Sequence, residues 1–466
     1  MYQPGTGMCS EAAARPEAPT AVHRGETCST MMPGTYRLPN RAGDGVAMQF
    51  SRTELLKGLV VSLMMATLLI GCQATPASCP EIDSIETAVA GQVFATLTAE
   101  APTSTPVPPP TPTSTPVSYN IYFGDLHVHT SRIHTTEAFH EEFGRGALRL
   151  ASLQAREVTQ HDFIAVTNHA RLLEDWMWQV TLEVADEFTE EGIFVSIPAF
   201  EWTASHGCGE HCSPARPDYP DWGHRNVYFR NTESATPLLR CTDPSTDTPQ
   251  ELFQALPGAD LAITIPHHTT AARHPFDWST VDADYDQLVE NVQRRGDYEA
   301  DIVENGWGMG HAIGVVGGSD NHIAAAGQPQ GITAILAPEL TRDALFDALL
   351  SRHSYATTHG DIILHFFADG EMQGTVLSPR ESLQLSGEIE SKNGAISLVE
   401  LLDNGEAMVT WEPEQASSLR FERTEQIGEE SHYFYVKVTL ENGHQAWSSP
   451  IWVNHAAATP SPSTSP

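Results

Sequence analysis

At 466 residues the chain has room for about two to three domains, and its 40% hydrophobic content is enough for a sizeable core. Its 25 Lys+Arg against 60 Asp+Glu give a formal charge of -35. That excludes a sequence-independent grip on nucleic acid, which needs a basic face, and it disfavours anionic membrane surfaces.

Residues 1–47 have no periodicity and read as unstructured or as an over-extended start. Met48 lies at a natural beginning. Arg52 and Lys57 precede an apolar run from Leu59 to Ile70. That run is too short for a bilayer span of about 20 residues, and it has the length of a signal-peptide core. It ends in Leu69-Ile70-Gly71-Cys72, which resembles a bacterial lipobox with Cys72 as the lipidated residue. The expectation is a lipoprotein signal over 48–72 and an extracytoplasmic protein held to the membrane through its lipid alone. A buried helix ending at a cysteine is the plain alternative.

Residues 73–117 read as a linker. Ile82, Ile85, Val89 and Val93 have near-helical spacing, and the Pro/Thr-rich stretch 101–117 favours an extended spacer. Export permits disulfides, so Cys208, Cys212 and Cys241 predict a disulfide-tied loop. His206, His211 and the cysteines between and beside them offer a small zinc site as the alternative. Residues 456–466 resemble the linker and read as a disordered tail.

Between 118 and 360, short apolar runs alternate with helical patterns. The runs are NIYFGDL, DFIAVTN, GIFVSIPAF, HRNVYFR, LAITIPH, AIGVVGGS and ITAILAP; GRGALRLASLQAREVTQ and TRDALFDALLSR are helical. This alternation predicts an α/β body on a parallel sheet, open or closed into a barrel. From 361 to 455 the texture changes to short strands and turns. Phe434, Val436, Val438 and Leu440 share one face of a strand, and a small antiparallel β-sandwich is expected.

Several runs of the α/β body end in metal-ligand residues. These are Asp125-Leu-His127-Val-His129, His169, Glu201, His267-His268 and Asp320-Asn-His322. A parallel barrel opens all its strand ends on one face, so residues 200 positions apart converge. His127 and His129 are two apart on a strand and point the same way. One histidine at a strand end is more often a satisfied core residue; five such ends together point to a metal centre. Trp202, Trp222 and Trp278 lie near these clusters in sequence, as core, rim or substrate wall.

YFGDLHVHT, DFIAVTNHA, the strand-end Glu201, IPHH and GGSDNH resemble, in order, the motifs of the PHP (polymerase and histidinol phosphatase) superfamily over about residues 120–360. FEWT, GHRNVYF and the closing AWSSPIWV look like an exported branch with a C-terminal β-domain, neighbouring the carbamate-insecticide hydrolases. The resemblance implies a distorted seven-stranded (β/α) barrel with two or three divalent ions (Zn, Mn or Fe). It implies that His127, His129, Glu201 and Asp320 hold the first ion. Glu201 would bridge to a second, held by His224 and His267, and His169 and His322 would hold a third. His134 or Glu137 supplies the further ligand expected after the HxH pair, and Asp125 orients a ligand imidazole.

The activity expected is hydrolysis by a metal-activated water, with small phosphate esters as substrates. Asp320 or a nearby His moves the proton, His268 donates one or stabilises charge, and Arg225 reaches an anionic substrate or forms a structural ion pair. Ester, amide or carbamate hydrolysis at the same centre is the alternative, and a non-catalytic surface binding protein is a second.

Overall fold

The computed structural model describes residues 119–130, 141–204, 222–270 and 275–454, all within the compact unit Thr111–Pro466. The expected signal segment with Cys72, the expected linker and tail, His134, Glu137, His206, Cys208, His211 and Cys212 lie outside the described residues. What is described is a mixed α/β protein made mostly of strands, with few helices. Among the described residues no helix is long and apolar enough to cross a membrane.

The central sheet starts with β1 (Asn120–Val128), which pairs in parallel with β2 (Phe163–Val166). β2 continues in parallel to β3 (Val195–Ile197). All of FIAV in β2 is buried, the run expected of a strand covered on both faces. On its other edge β1 pairs antiparallel with β10 (Ile332–Ala337), and β10 with β11 (Ser354–Thr357).

Helices α1 (Glu141–Leu153) and α2 (Asp175–Phe188) pack together beside this sheet. α2 buries Trp178, Val184, Ala185 and Phe188 along one stripe, the apolar face that a 3.6-residue period produces. The seven-residue α3 (Pro249–Ala255) opens with a capping box, in which Thr248 Oγ1 accepts from the Glu251 amide and Glu251 accepts from the Thr248 amide, with Pro249 just inside. In α4 (Arg342–Leu350) the Thr341 hydroxyl accepts from the Ala344 amide at 3.1 Å.

Three further strands form a separate antiparallel sheet: β4 (Ala199–Ala204), β5 (Gly223–Phe229) and β6 (Ala262–His267). β7 (Leu288–Gln293) pairs in parallel with β9 (Gly314–Gly317), and the two-residue β8 (Gly296–Asp297) folds back on β7. The wholly parallel sheet expected from the alternation is therefore corrected, because β5 runs against both its neighbours. The described strands fall into four sheets instead of one closed sheet. Isolated bridges Val128–Asn321 and His169–Glu201 link these sheets at their ends.

The remaining strands complete a two-sheet sandwich. β12 (Ile362–Ala368), β13 (Glu371–Met372), β15 (Ser382–Ser391) and β18 (Ser418–Gln426) make one antiparallel sheet. It faces β16 (Ile396–Asp403), β17 (Glu406–Trp411), β19 (His432–Leu440), β20 (Gln445–Ser448) and β21 (Ile451–Val453), which belong to the central sheet together with β14 (Val376–Leu377). Phe434, Val436, Val438 and Leu440 enter the core between the two sheets, as the alternation predicts.

The sheet does not stop at residue 360. β20 pairs with β11, so the C-terminal strands extend the central sheet. The opposite face of β19 carries Tyr433 and Tyr435, which join Trp307, Val289, Val315, Trp447 and Trp452 in a second core against β7 and β9. Glu299 fastens this contact by accepting hydrogen bonds from Tyr435 Oη at 2.9 Å and Trp447 Nε1 at 3.0 Å.

Candidate metal centre

The end of β1, the segment after β9 and the β4–β5–β6 sheet bring the expected ligands to one place. The antiparallel pairing is what makes this possible. His224 stands at the beginning of β5, directly across from His267 at the end of β6 and from Thr203 on β4. Glu201 lies inside β4, two residues before Thr203 and so on the same face.

Glu201 divides its two oxygens. Oε2 lies 3.2 Å from His129 Nε2, 3.0 Å from His169 Nδ1 and 3.7 Å from His127 Nε2. Oε1 lies 2.6 Å from His224 Nδ1 and 3.6 Å from His267 Nε2. Asp320 Oδ1 faces the first group, 3.7 Å from His127 Nε2, 3.5 Å from His129 Nε2 and 3.7 Å from His322 Nδ1. His129 stacks against His322 with ring centroids 4.1 Å apart, and against His169 at 4.6 Å. Three donor groups suited to a metal ion result: His127 with His129 and Glu201, His129 with His169 and His322, and His224 with His267 and His268.

Most of these ligands are deeply buried, with His127, His129, Glu201, His267 and His268 each 3% exposed or less, while His169 and His322 are partly open. Both ring nitrogens of His267 lack a hydrogen-bond partner. A buried imidazole with neither nitrogen satisfied is costly, and a metal ion is the partner that such a nitrogen fits. The donor set of imidazoles and carboxylates suits Zn, Mn or Fe. The backbone is strained here as well, with His268 at φ 39° and Asp320 at φ 47°.

Electrostatics follow from packing carboxylates among imidazoles. Burial pushes the Glu201 carboxyl up, but the neighbouring His169 and His224 hold it well below the usual carboxylate range. Burial likewise opposes protonation of His127, yet Glu290 and Glu201 raise it well above an ordinary imidazole. His268 is pushed well below the usual value by burial and by the neighbouring His267. A cation bound among these groups takes over the positive charge that the imidazoles otherwise carry, and binding releases protons.

The partner of His127 is Glu290, which the sequence reading missed. Its Oε2 accepts from His127 Nδ1 at 2.8 Å, leaving Nε2 to face the other ligands. Gly318 makes room for this pair, since a Cβ there would lie 2.3 Å from Glu290 Oε2 and 2.6 Å from His127 Cβ. Glu290 sits in LVENVQ, every residue of which is buried. With Asn291 and Gln293 beside it, Glu290 gave no apolar run from which a strand, and so its direction, could be read.

Asp125 has a different role from the one expected. It touches no imidazole; its carboxylate accepts the backbone amides of His127 at 2.9 Å, Ser319 at 3.0 Å and Gly327 at 2.7 Å. It ties β1 to the loop after β9. Burial pushes its carboxyl up to about 6 against the pull of those amides.

Arg225 also departs from one of its expected roles. It alternates with His224, so its guanidinium leaves the opposite face of β5. There it is 0% exposed, bonded to Asp286 Oδ1 at 3.3 Å and to Thr280 Oγ1 at 2.9 Å. It is the structural ion pair, not a substrate contact. Among the described residues, Arg294 and Arg295, in the turn after β7, reach the centre. They lie 3.3 Å and 3.4 Å from Asp320 Oδ2, the oxygen turned away from the imidazoles. Arg294 Nε is buried with no hydrogen-bond partner.

Trp202 and Trp278 are core residues, donating to Thr246 O and Asp301 Oδ2 respectively, both at 2.9 Å, and Trp222 packs at the edge of the core around Trp202. Cys241 is buried in that same core, which pushes its thiol up to about 12.

Fold and site together define a mostly-β α/β protein with a cluster of histidines and carboxylates suited to divalent metals. The chain belongs to the family described as "Protein of unknown function (DUF3604)", whose model matches residues 134–305 and 315–388. An uncharacterized protein of Chlamydia pneumoniae is 24% identical over 331 residues, covering 60% of this chain and 49% of the relative. One of Chlamydia trachomatis is 30% identical over 165 residues, covering 30% of this chain and 26% of the relative. The chain thus spans about half or less of the curated relatives it matches. Among solved structures, a two-domain protein from Bacteroides vulgatus, described as containing a predicted PHP-like metal-dependent phosphoesterase, aligns with a TM-score of 0.38 and 13% identity. That alignment covers 71% of this chain and 95% of the other.

Proposed function

We propose that the protein is a metal-dependent hydrolase acting on small phosphate esters. The observation that carries this reading is the division of Glu201, one oxygen toward His127, His129 and His169 and the other toward His224 and His267. A carboxylate so placed suits the bridge of a two-metal site. Two or three divalent ions held by these residues would supply a nucleophilic water at neutral pH and stabilise charge on the reacting oxygens.

The chain's own groups then have defined tasks. His127, His129 and Asp320 Oδ1 hold one position, His224 and His267 a second, and His169 and His322 a third. His268 stands beside His224 and His267 and is a further ligand candidate. Arg294 and Arg295, paired with Asp320 Oδ2, bind the anionic oxygens of a substrate entering beside it. We read β1, β2, β4, β5, β6, β7 and β9 as the strands of a distorted barrel. The support is that β2 adjoins β4 at His169–Glu201, β6 packs beside β7, and β9 packs beside β1.

The test is a side-by-side rate comparison of 4-nitrophenyl phosphate, bis(4-nitrophenyl) phosphate and 4-nitrophenyl acetate, with Glu201→Gln as the blank. The phosphates are expected to lead. Arg294→Gln should raise KM for the phosphates roughly 10-fold or more, because a charge-assisted hydrogen bond of about 1.5–3 kcal/mol is lost, and should leave the acetate unchanged. An acetate turned over far faster than either phosphate, through the same Glu201-dependent site, would overturn the phosphoester assignment. We infer in addition that Cys72 anchors the protein outside the cytoplasm, on the basic start, short apolar run and lipobox-like end. Cys72→Ala should release it from the membrane fraction or leave it uncleaved; unchanged processing and partitioning would refute the anchor.

A further inference from the structure

A second group of metal-type donors lies outside the centre and shares no residue with it. His359 and Asp361 stand on the corner between β11 and β12, and His444 stands in the turn between β19 and β20. Their donor atoms all lie within 4.8 Å of one another. His359 Nδ1 is 3.0 Å from Asp361 Oδ2, and the His359 and His444 rings stack with centroids 4.7 Å apart at 29°.

The two corners are already laced together. The Thr358 amide donates to Gln445 O at 2.9 Å, and the Gln445 amide donates to Thr358 Oγ1 at 2.9 Å. The same hydroxyl lies 3.3 Å from His444 Nδ1. Asn393 Nδ2 donates to Asp361 Oδ2 at 3.2 Å. The donors are therefore held on strand ends whose backbone is fixed, so little ordering remains for an ion to impose. The bond at Nδ1 orients His444 in the way an outer hydrogen bond orients a ligand imidazole, leaving Nε2 for a metal.

Tetrahedral bonds of about 2.0–2.2 Å to zinc put two ligand atoms roughly 3.4 Å apart, so the widest pair, no more than 4.8 Å apart here, needs to close by at most roughly 1.4 Å. His359 is half-exposed, with 55% of its side chain open to solvent, and it can turn that far. Two imidazoles and one carboxylate suit a divalent transition metal better than calcium or magnesium, which take oxygen ligands.

We propose that His359, Asp361 and His444 form a separate divalent transition-metal site that staples the β11–β12 corner to the β19–β20 hairpin, with its remaining positions open to water. One corner leaves the central sheet at β11 for β12 of the facing sheet and the other joins β19 to β20, so an ion there ties the end of the α/β body to the C-terminal strands.

The experiment is zinc titration of the full chain by calorimetry and by elemental analysis after gel filtration, alongside His444→Gln and Asp361→Asn. The wild type should retain one zinc more per chain than either variant. Its melting temperature should rise with zinc by a step that both variants lack, while hydrolysis and the ions bound through Glu201 stay unchanged. Near-UV circular dichroism identifies a variant that has not folded, and His359→Ala, altering the most exposed ligand, then takes its place. Equal zinc content and an equal zinc-dependent melting shift in wild type and folded variants would overturn the site and leave His359–Asp361 a surface ion pair only.

Discussion

Glu290 carries the least expected role at the scale of single residues. It holds the imidazole of His127 by Nδ1 and thereby decides which nitrogen faces the centre. Removing its charge should leave the buried shape nearly intact, because Glu290→Gln is isosteric, while loosening the ligand it orients. Outer-shell partners of this kind are worth about 10- to 100-fold in metal affinity. Glu290→Gln is therefore expected to weaken metal binding by that factor, measured by competition with a chromogenic chelator, with the far-UV spectrum unchanged. Affinity equal to wild type would show that the bond only satisfies a buried imidazole. The motifs spelled out the ligand types, and the structure gathers His127, His129, His169, Glu201, His224, His267, Asp320 and His322 as those motifs implied. What sequence did not convey was side-chain direction. Arg225 follows His224 by one residue on a strand and so must leave the other face; that step was readable from the run HRNVYFR, which holds both residues. Asp125, adjacent to the HxH pair, was assigned an imidazole when its geometry serves backbone amides.

Among the elements, the apolar runs gave β1, β2, β6, β9 and β10 nearly residue for residue, since short buried strands are written as continuous hydrophobic stretches. Direction is not written there. β5 looks like its neighbours in sequence yet runs antiparallel, and only pairing reveals it. β7 escaped notice because Glu290, Asn291 and Gln293 interrupt its hydrophobicity, and polar residues enter a buried strand when a site requires them. The C-terminal strands were legible as a sandwich, whereas their second contact was not. β19 is apolar on both faces, one toward β12 and β15 and the other toward β7 and β9. A strand buried on both sides belongs to two packing layers at once. Residues 118–360 expressed alone should accordingly fail to form a native core. Without the C-terminal strands, Trp307, Val289 and Val315 lose the aromatic wall of Tyr433, Tyr435, Trp447 and Trp452. The expected signs are loss of near-UV circular dichroism and binding of a hydrophobic dye. A truncated chain with a sharp melting transition and native near-UV signal would show the C-terminal strands to be an independent appendage.

For the whole molecule, a charge of -35 and a buried cluster of imidazoles and carboxylates are two parts of one electrostatic design. An acidic surface repels large polyanions, and under the proposed function the positive charge for a small anionic substrate would come from Arg294, Arg295 and bound ions at the centre. The central claim is that Glu201 spans two metal positions. Elemental analysis of protein purified without chelators tests it most directly, in a His444→Gln background so that the outer corner does not contribute. The account predicts at least two transition-metal ions per chain, and a loss of more than one ion in Glu201→Ala, because that substitution removes a ligand from two positions together. Fewer than one ion per chain, with no gain on reconstitution, or a Glu201→Ala variant that keeps its full complement, would contradict it.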